Sequence, residues 1–472
     1  MTDSHDFDVI VIGAGAIGEN VADRVVQAGL SAALIESELV GGECSYWACM
    51  PSKALLRPGT ALKAASSVAG AREAVTGTLD AQQVLDRRTE FTSNWDDSSQ
   101  ADWVRDSGIT LVRGTARLTG ERSVEVRDNN DDATDLTARV AVVLATGSTP
   151  TTPPIDGLDD VEFWGTREAT SATQVPESLA VLGGGVAGAE LAQAFARLGT
   201  KVTIIARSGL LSNYPQPAGA LVRKGLEGDG VVVLTDTATE SVRQPAGGSF
   251  TIALGGGKTV TAEKLLVSTG RRPALANLGL EDLDLDPGNL VTDQSGRVEG
   301  ADWLYAVGDA AGKVLLTHQG KYEARVTGSA IAARAAGTLG DTVEDWSPYA
   351  ASADRYAVPQ VVFTDPEIAM AGRTVEQARE AGLTVSETSL EIAVAGSALH
   401  TDGYQGWAQM VVDEDRRVLV GMTFAGPDVA ELLHAATIAI AGEVPLDRLW
   451  HAVPAYPTIS EVWLRLLEKY GL

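Results

Sequence analysis

Residues 7–18 read FDVIVIGAGAIG. Residues 7–12 are almost continuously apolar, the pattern of a strand buried on both faces in a parallel sheet. The strand runs straight into Gly13, Ala14, Gly15, Ala16, Ile17 and Gly18, and residues 19–28 then have helix-forming character up to Gly29. A G-x-G-x-x-G turn between strand and helix lets the backbone approach a pyrophosphate at the helix N-terminus. The next apolar strand, 32–35, stops at Glu36, an acid placed to accept from ribose hydroxyls. Together these features predict a dinucleotide-binding α/β fold.

A second copy follows. Residues 179–182 form a strand pattern, Gly183, Gly184, Gly185, Val186, Ala187 and Gly188 the turn, and residues 189–198 the helix. The registers agree: Glu36 stands 23 positions after Gly13, and Ala206 stands 23 positions after Gly183. The acid of the first copy is thus replaced by Ala206-Arg207. An acid at this place prefers a free 2′-hydroxyl, whereas an Arg accommodates a 2′-phosphate. The first site is therefore read as one for FAD, and the second as one for NADPH in preference to NADH. The plainer reading of Arg207 is a solvated surface residue.

Just after the first copy, residues 41–56 read GGECSYWACMPSKALL and hold both cysteines of the protein, Cys44 and Cys49. Pro51 is tolerated in a first helical turn, where its missing N–H costs nothing. A helix N-terminus at this point favours a thiolate at Cys49. Two readings stand: a disulfide pair entering a helix, or two ordinary buried cysteines. Two cysteines are too few for a disulfide framework, and a single pair in an intracellular-looking enzyme points to catalysis.

Through Gly41, Gly42, Cys44, Cys49, Pro51, Ser52 and Lys53, this stretch resembles the redox motif of the pyridine nucleotide-disulfide oxidoreductases, the family of dihydrolipoamide dehydrogenase and glutathione reductase. It departs from that motif at Glu43, usually Thr, and at Ala48, usually Gly; Tyr46 and Trp47 are unusually bulky. The resemblance implies that Cys44 is the thiol that meets substrate and Cys49 the charge-transfer thiol against the flavin. Further stretches carry it along nearly the whole chain. Ala145-Thr146-Gly147-Ser148 and the TGRRP hinge at Thr269, Gly270, Arg271, Arg272 and Pro273 match returns of the chain to the flavin domain. Asp309, after Gly308, matches an acid on the ribityl chain. Thr317 and His318 match the start of a helix beneath the flavin pyrimidine edge, where His318 is either near the ring or structural. Lys53 and Glu190 match an ion pair beside the flavin N5; their plainer reading is a surface Lys and a core-facing Glu. Residues 360–367, QVVFTDPE, resemble the opening of a dimerisation domain.

The last family motif, H-P-T-x-S-E, places a histidine base and its orienting Glu on a loop that reaches the partner subunit's disulfide. Here it reads Tyr456-Pro457-Thr458-Ile459-Ser460-Glu461. A phenol titrates near 10 and is a poor base at neutrality, though it donates a hydrogen bond. Tyr456 is an altered acid or a packing residue, and His451 is a substitute base or a structural histidine. No cysteine lies near the C-terminus, which sets aside the branches with a second redox pair there, mercuric reductase among them.

At 472 residues the chain has room for about three domains. The boundaries read as 1–150 plus 271–345 for FAD, 151–270 for NAD(P)H, and 346–472 for an α+β dimerisation part. A net charge of −26 argues against nucleic acid and anionic membrane surfaces. No apolar run approaches the ~20 residues of a membrane span, and the opening residues lack a basic signal-peptide region. The expectation is a cytoplasmic homodimer in which hydride passes from NADPH to FAD and then to Cys44–Cys49, reducing a small disulfide or, in reverse, oxidising a dithiol. Direct reduction of quinones or similar acceptors is the alternative favoured by Tyr456. A redox-inactive flavoprotein acting through a partner is the third, which the intact glycine motifs and Lys53 oppose.

Overall fold

The computed structural model describes residues 6–472. The chain divides into two compact units, the first formed by Met1–Met50, Thr89–Pro150 and Arg271–Asp354, the second by Pro51–Arg88, Thr151–Gly270 and Arg355–Leu472.

The first unit is built on an eight-stranded sheet. Strands Thr110–Arg113, Ala32–Glu36, Asp6–Ile12, Ala133–Leu144 and Ala301–Ala306 lie side by side, each pair parallel. Because side chains alternate across a strand, Val9 and Val11 face one way and Ile10 and Ile12 the other, and all four are buried. The Val9 face packs with Leu34 and Val143 against helices Ala16–Gln27, Ser98–Asp106 and Thr317–Ala335, through Val21, Val25, Val104 and Ile331. The Ile10 face packs with Ile35, Leu136, Leu144 and Leu304 against Leu118 and Val124 of an antiparallel branch. That branch, Thr115–Gly120 and Ser123–Arg127, pairs with the start of Ala133–Leu144. The last strand thus begins well before the apolar run at 140–144, since alternation at Leu136 and Ala138 already buries one face.

The second unit holds a four-stranded parallel sheet, ordered Val232–Leu234, Lys201–Ile205, Ser178–Leu182 and Lys264–Val267. Helix Val186–Arg197 covers it with Leu191 and Phe195, which are fully buried. A three-stranded antiparallel sheet, Thr239–Arg243, Phe250–Leu254 and Lys258–Ala262, follows. The C-terminal part is a five-stranded antiparallel sheet, ordered Pro359–Val362, Glu367–Gly372, Val418–Gly426, Trp407–Asp413 and Val385–Glu391, with helices Leu433–Ala441 and Glu461–Tyr470. Residues 418–420 and 422–425 read as two short strands but form one, Val418–Gly426. Gly421 does not break it; a Cβ there would meet the Arg373 carbonyl oxygen at 1.9 Å, so the glycine admits a neighbouring backbone. Two parallel nucleotide-binding-type sheets and a terminal α+β sheet are the fold class that the sequence predicts. Among the described residues no helix is long and apolar enough to cross a membrane.

Candidate active site

In the first unit, the glycine turn joins strand Asp6–Ile12 to helix Ala16–Gln27. Gly13 has φ +102°, and a Cβ on it would lie 2.4 Å from the Ala145 carbonyl oxygen. The second unit repeats this: Gly183 has φ +119°, and its Cβ would lie 2.4 Å from the Ser268 carbonyl oxygen. In both copies only glycine lets the turn pass so close to the crossing strand. Gly15 and Gly185 stand at the helix N-caps with no side chain capping the helix. The free N–H groups there suit a phosphate. Gly42 approaches the first loop so closely that a Cβ would come within 2.8 Å of Gly15 Cα.

Glu36 ends its strand beside this loop. Its Oε2 accepts from the Ala14 N–H at 2.8 Å and its Oε1 from the Glu38 N–H at 2.8 Å. Burial is the main cause of its raised pKa. Thr146 carries a buried Oγ1 with no hydrogen-bond partner. An orphaned buried hydroxyl beside an uncapped glycine turn fits a bound dinucleotide.

The cysteines lie in the same unit. Cys44 sits in the short helix Gly42–Tyr46, and Cys49 is the first residue of helix Cys49–Ser66. Both thiols are half-buried. Thr317, the first residue of helix Thr317–Ala335, brings its Oγ1 to 3.3 Å from Cys49 Sγ. The Cys44 thiol is pushed far up, first by its hydrogen bond to Cys49 and then by burial; Thr317 and the Lys321 charge act in the opposite direction. Two thiols that share one proton cannot both ionise cheaply, so the pair holds a proton. His318 is exposed.

A polar chain joins three stretches singled out in the sequence. Ser148 donates to Asp309 Oδ2 at 2.5 Å, and Arg271 donates to Ser148 Oγ at 2.7 Å and to the Ser148 carbonyl at 2.6 Å. Arg271 also pairs with Glu43 at 3.2 Å. Glu43, where the family has Thr, therefore carries a charge matched by the TGRRP hinge.

In the second unit, Lys53 Nζ lies 2.8 Å from Glu190 Oε2 and 4.7 Å from the centre of the Phe363 ring. The Phe363 N–H donates to Glu190 Oε1 at 2.9 Å, so both oxygens of this buried carboxylate are satisfied. Beyond strand Lys201–Ile205, Ala206 is buried and Arg207 is exposed. Gly270 has φ +127° with open space around it, and Gly147 of the first unit, φ +73°, is likewise open.

At the C-terminus, Tyr456 is 77% exposed, and His451 is exposed as well. Glu461 heads helix Glu461–Tyr470 and is buried. Its Oε1 accepts from Arg465 at 2.5 Å, while its Oε2 is buried with no partner. The structure does not bring Tyr456 onto that oxygen. Two charged residues not singled out in the sequence belong here: Lys321, whose charge acts on Cys44, and Glu19, whose carboxyl feels the Lys321 charge. The available signals are an acid directly after the third glycine and a lysine one turn beyond Thr317.

The family model described as "Pyridine nucleotide-disulphide oxidoreductase" matches residues 7–337, and that of its dimerisation domain matches residues 358–466. The chain is 32% identical over 478 residues to a dihydrolipoyl dehydrogenase of Thermus scotoductus, covering 98% of this chain and 97% of that protein. It is 31% identical over 468 residues to a mercuric reductase of Acidithiobacillus ferrooxidans, covering 97% of this chain and 82% of that one. Among solved structures, the Cu(II) complex of the HOCl-induced flavoprotein disulfide reductase RclA from Escherichia coli superposes with a TM-score of 0.83. That likeness, at 23% identity, covers 98% of this chain and 99% of that one, and it concerns the fold.

Proposed function

The chain belongs to the pyridine nucleotide-disulphide oxidoreductase family, and from that premise we propose that it is an NADPH-dependent disulfide reductase working through Cys44 and Cys49. The family is FAD-dependent with a pyridine nucleotide as electron donor. Bound FAD supplies the two-electron link between the nicotinamide and the cysteine pair. The observation that carries the reading is the cluster of Cys44, Cys49 and Thr317, with Thr317 Oγ1 3.3 Å from Cys49 Sγ.

The chain's own residues divide the work. Gly13, Gly15, Gly18, Glu36, Gly42, Thr146, Gly147, Asp309 and Thr317 hold FAD; Gly183, Gly185, Gly188 and Arg207 hold NADPH; Gly270 belongs with these cofactor-binding residues. Lys53, fixed by Glu190, keeps a positive charge where hydride transfer develops charge. In exchange, the Cys44 thiolate attacks one sulfur of the substrate disulfide. A mixed disulfide forms, and the departing thiolate takes up a proton. The Cys49 thiolate then attacks the Cys44 sulfur. The second product thiolate leaves and is protonated, and the Cys44–Cys49 disulfide is restored for the next reduction.

The domain assignment follows: FAD on 1–150 and 271–345, NADPH on 151–270, and the subunit interface on 346–472. The dimerisation-domain match supports a homodimer. The relationship to mercuric reductase is not extended to metal-ion reduction, because Cys44 and Cys49 are the only cysteines. A second reading, NADPH-dependent reduction of quinones or similar acceptors directly from flavin, is favoured by one observation: a phenol, Tyr456, where the family has its base. Anaerobic NADPH titration, followed by turnover with a panel of disulfides and quinones, decides between them. Turnover confined to quinones replaces the first reading by the second.

A further inference from the structure

Three helices meet at the Cys44 thiol, and a fourth packs on one of them. Cys44 belongs to helix Gly42–Tyr46, and Cys49 faces it from the head of the next helix. From helix Thr317–Ala335 come Thr317 and, one turn on, Lys321. Residues four apart share a helix face, so Lys321 extends from the face by which Thr317 reaches the cysteines. It is half-buried and makes no hydrogen bond or ion pair among the described residues. The neighbouring helix Ala16–Gln27 packs so tightly here that a Cβ at Gly320 would lie 2.7 Å from Ile17 Cγ1. On that helix Glu19 is 8% exposed, and its buried Oε1 has no partner.

Lys321 is near enough to both the Glu19 carboxyl and the Cys44 thiol for its charge to lower the pKa of each. The other groups facing this cluster are Cys49, which acts on Cys44, Glu36, which opposes ionisation of Glu19, and Tyr46, whose phenol Glu19 helps to raise.

We propose that Lys321 is a positioning residue for Cys44, a cation built into the same subunit that supports the Cys44 thiolate for exchange, with Glu19 as its counter-charge. The inference deepens the disulfide reading and rests on it for its purpose. The physical need is plain: a half-buried thiol beside a second thiol resists ionisation, and the loop that carries a histidine base in the family carries Tyr456 here. A lysine within the interior field offsets part of that cost.

Glu19 makes the support depend on pH. Burial, partly countered by Lys321, holds its carboxyl up to about 7. Below that pH Glu19 is neutral and the Lys321 charge acts on Cys44 alone. Above it, the carboxylate offsets the ammonium. The support is thus greatest on the acid side of neutrality, where a thiol most needs it.

The test is the pH profile of Cys44 alkylation by iodoacetamide in a Cys49→Ser background. That substitution leaves Cys44 as the sole thiol and removes the hydrogen bond that raises it most. Bound-flavin absorbance and thermal melting check the fold. Adding Lys321→Met is expected to slow alkylation at about pH 6.5 roughly ten-fold, one pKa unit being a factor of ten in thiolate fraction. Lys321→Gln, a second neutral variant should Met fail to fold, is expected to do the same, and Lys321→Arg to restore the rate to within about three-fold. Glu19→Gln is expected to leave the rate below about pH 6 unchanged and to raise it above about pH 7.5. Superimposable profiles with and without the Lys321 charge overturn the proposal, as does a slowing that Arg does not restore. No disulfide substrate enters the measurement, so a chain that turns out not to reduce disulfides is recognised separately, in turnover assays.

Discussion

Thr317 and Cys49 are 268 positions apart, yet Thr317 Oγ1 lies 3.3 Å from Cys49 Sγ. Each is the first residue of its helix, so the two helix N-termini converge on one sulfur. Positive helix ends and a hydroxyl donor both favour a thiolate. Two-electron reduction is therefore expected to give a long-wavelength thiolate–flavin charge-transfer band that Cys49→Ser abolishes. Thr317→Val, which keeps the shape and removes the hydroxyl, is expected to weaken it. Anaerobic titration monitored by absorbance checks this. Full flavin bleaching at one equivalent with no such band takes the disulfide out of the pathway.

The proposed preference for NADPH rests on Arg207, exposed just beyond the end of strand Lys201–Ile205. A charge-assisted contact to a 2′-phosphate is worth about 1.5–3 kcal/mol, so NADPH should be preferred to NADH by kcat/KM. Arg207→Glu should lower kcat/KM for NADPH by about 10- to 100-fold and leave that for NADH nearly unchanged. Equal values for the two coenzymes in the unmodified protein contradict the assignment.

The parts that sequence made legible are those in which chemistry forces a local pattern. Gly13 and Gly183 are irreplaceable because a crossing carbonyl lies 2.4 Å from where a Cβ would sit, and that requirement shows as a glycine in a fixed frame. The continuous strand Val418–Gly426 was not legible, because Gly421 reads as a break while its cause, the Arg373 carbonyl, lies elsewhere in the sequence. Strands Glu367–Gly372 and Val385–Glu391 escaped for a similar reason. Glu367–Gly372 pairs antiparallel with Val418–Gly426, far along the chain, and the polar face of SETSLE in Val385–Glu391 gives little apolar signal. Glu19 and Lys321 were invisible as a pair, since only the packing of two helices separated by most of the first unit's sequence brings them together.

Glu323 supplies a stability prediction. It is buried, its Oε2 accepts from the Gly308 N–H at 2.7 Å, and its carboxyl faces that of Asp354. Burial, then the Asp354 charge, pushes its pKa up to about 8. The folded state thus keeps a proton that the unfolded chain loses near 4.5. Where the native state binds more protons, stability falls as pH rises. The loss attributable to Glu323 accumulates between about pH 4.5 and 8 and then levels. Glu323→Gln keeps an acceptor for Gly308 and a donor for Asp354 but has no proton to lose. The Tm of Glu323→Gln should therefore rise relative to the unmodified protein across that window. A Tm difference that is the same at pH 5 and pH 8 shows that Glu323 does not hold the proton.

Tyr456 carries the last prediction. Thiol–disulfide exchange needs a proton delivered to the departing thiolate and a base for the attacking thiol. The family's histidine does both, and such help is worth ~10²- to 10⁴-fold. A phenol donates a proton but does not hold one as a cation near neutrality. Tyr456 is 77% exposed, whereas Glu461, five residues on, is buried with Oε2 free of any partner. An imidazole N–H at position 456 would find in that oxygen an acceptor that the phenol leaves unused, once the loop carries it within reach. Small disulfides such as glutathione or lipoamide should therefore be poor substrates of the unmodified protein, and one-step acceptors such as quinones comparatively good ones. Tyr456→His should raise disulfide turnover by about ten-fold or more and leave quinone turnover nearly unchanged. Glu461→Gln added to Tyr456→His should cancel most of the gain, because the imidazole loses the charge that orients it. Steady-state kinetics of the three proteins with both acceptor types measures this. Fast turnover of a common disulfide by the unmodified protein, lost in Tyr456→His, would show instead that the phenol belongs to a specialised disulfide site.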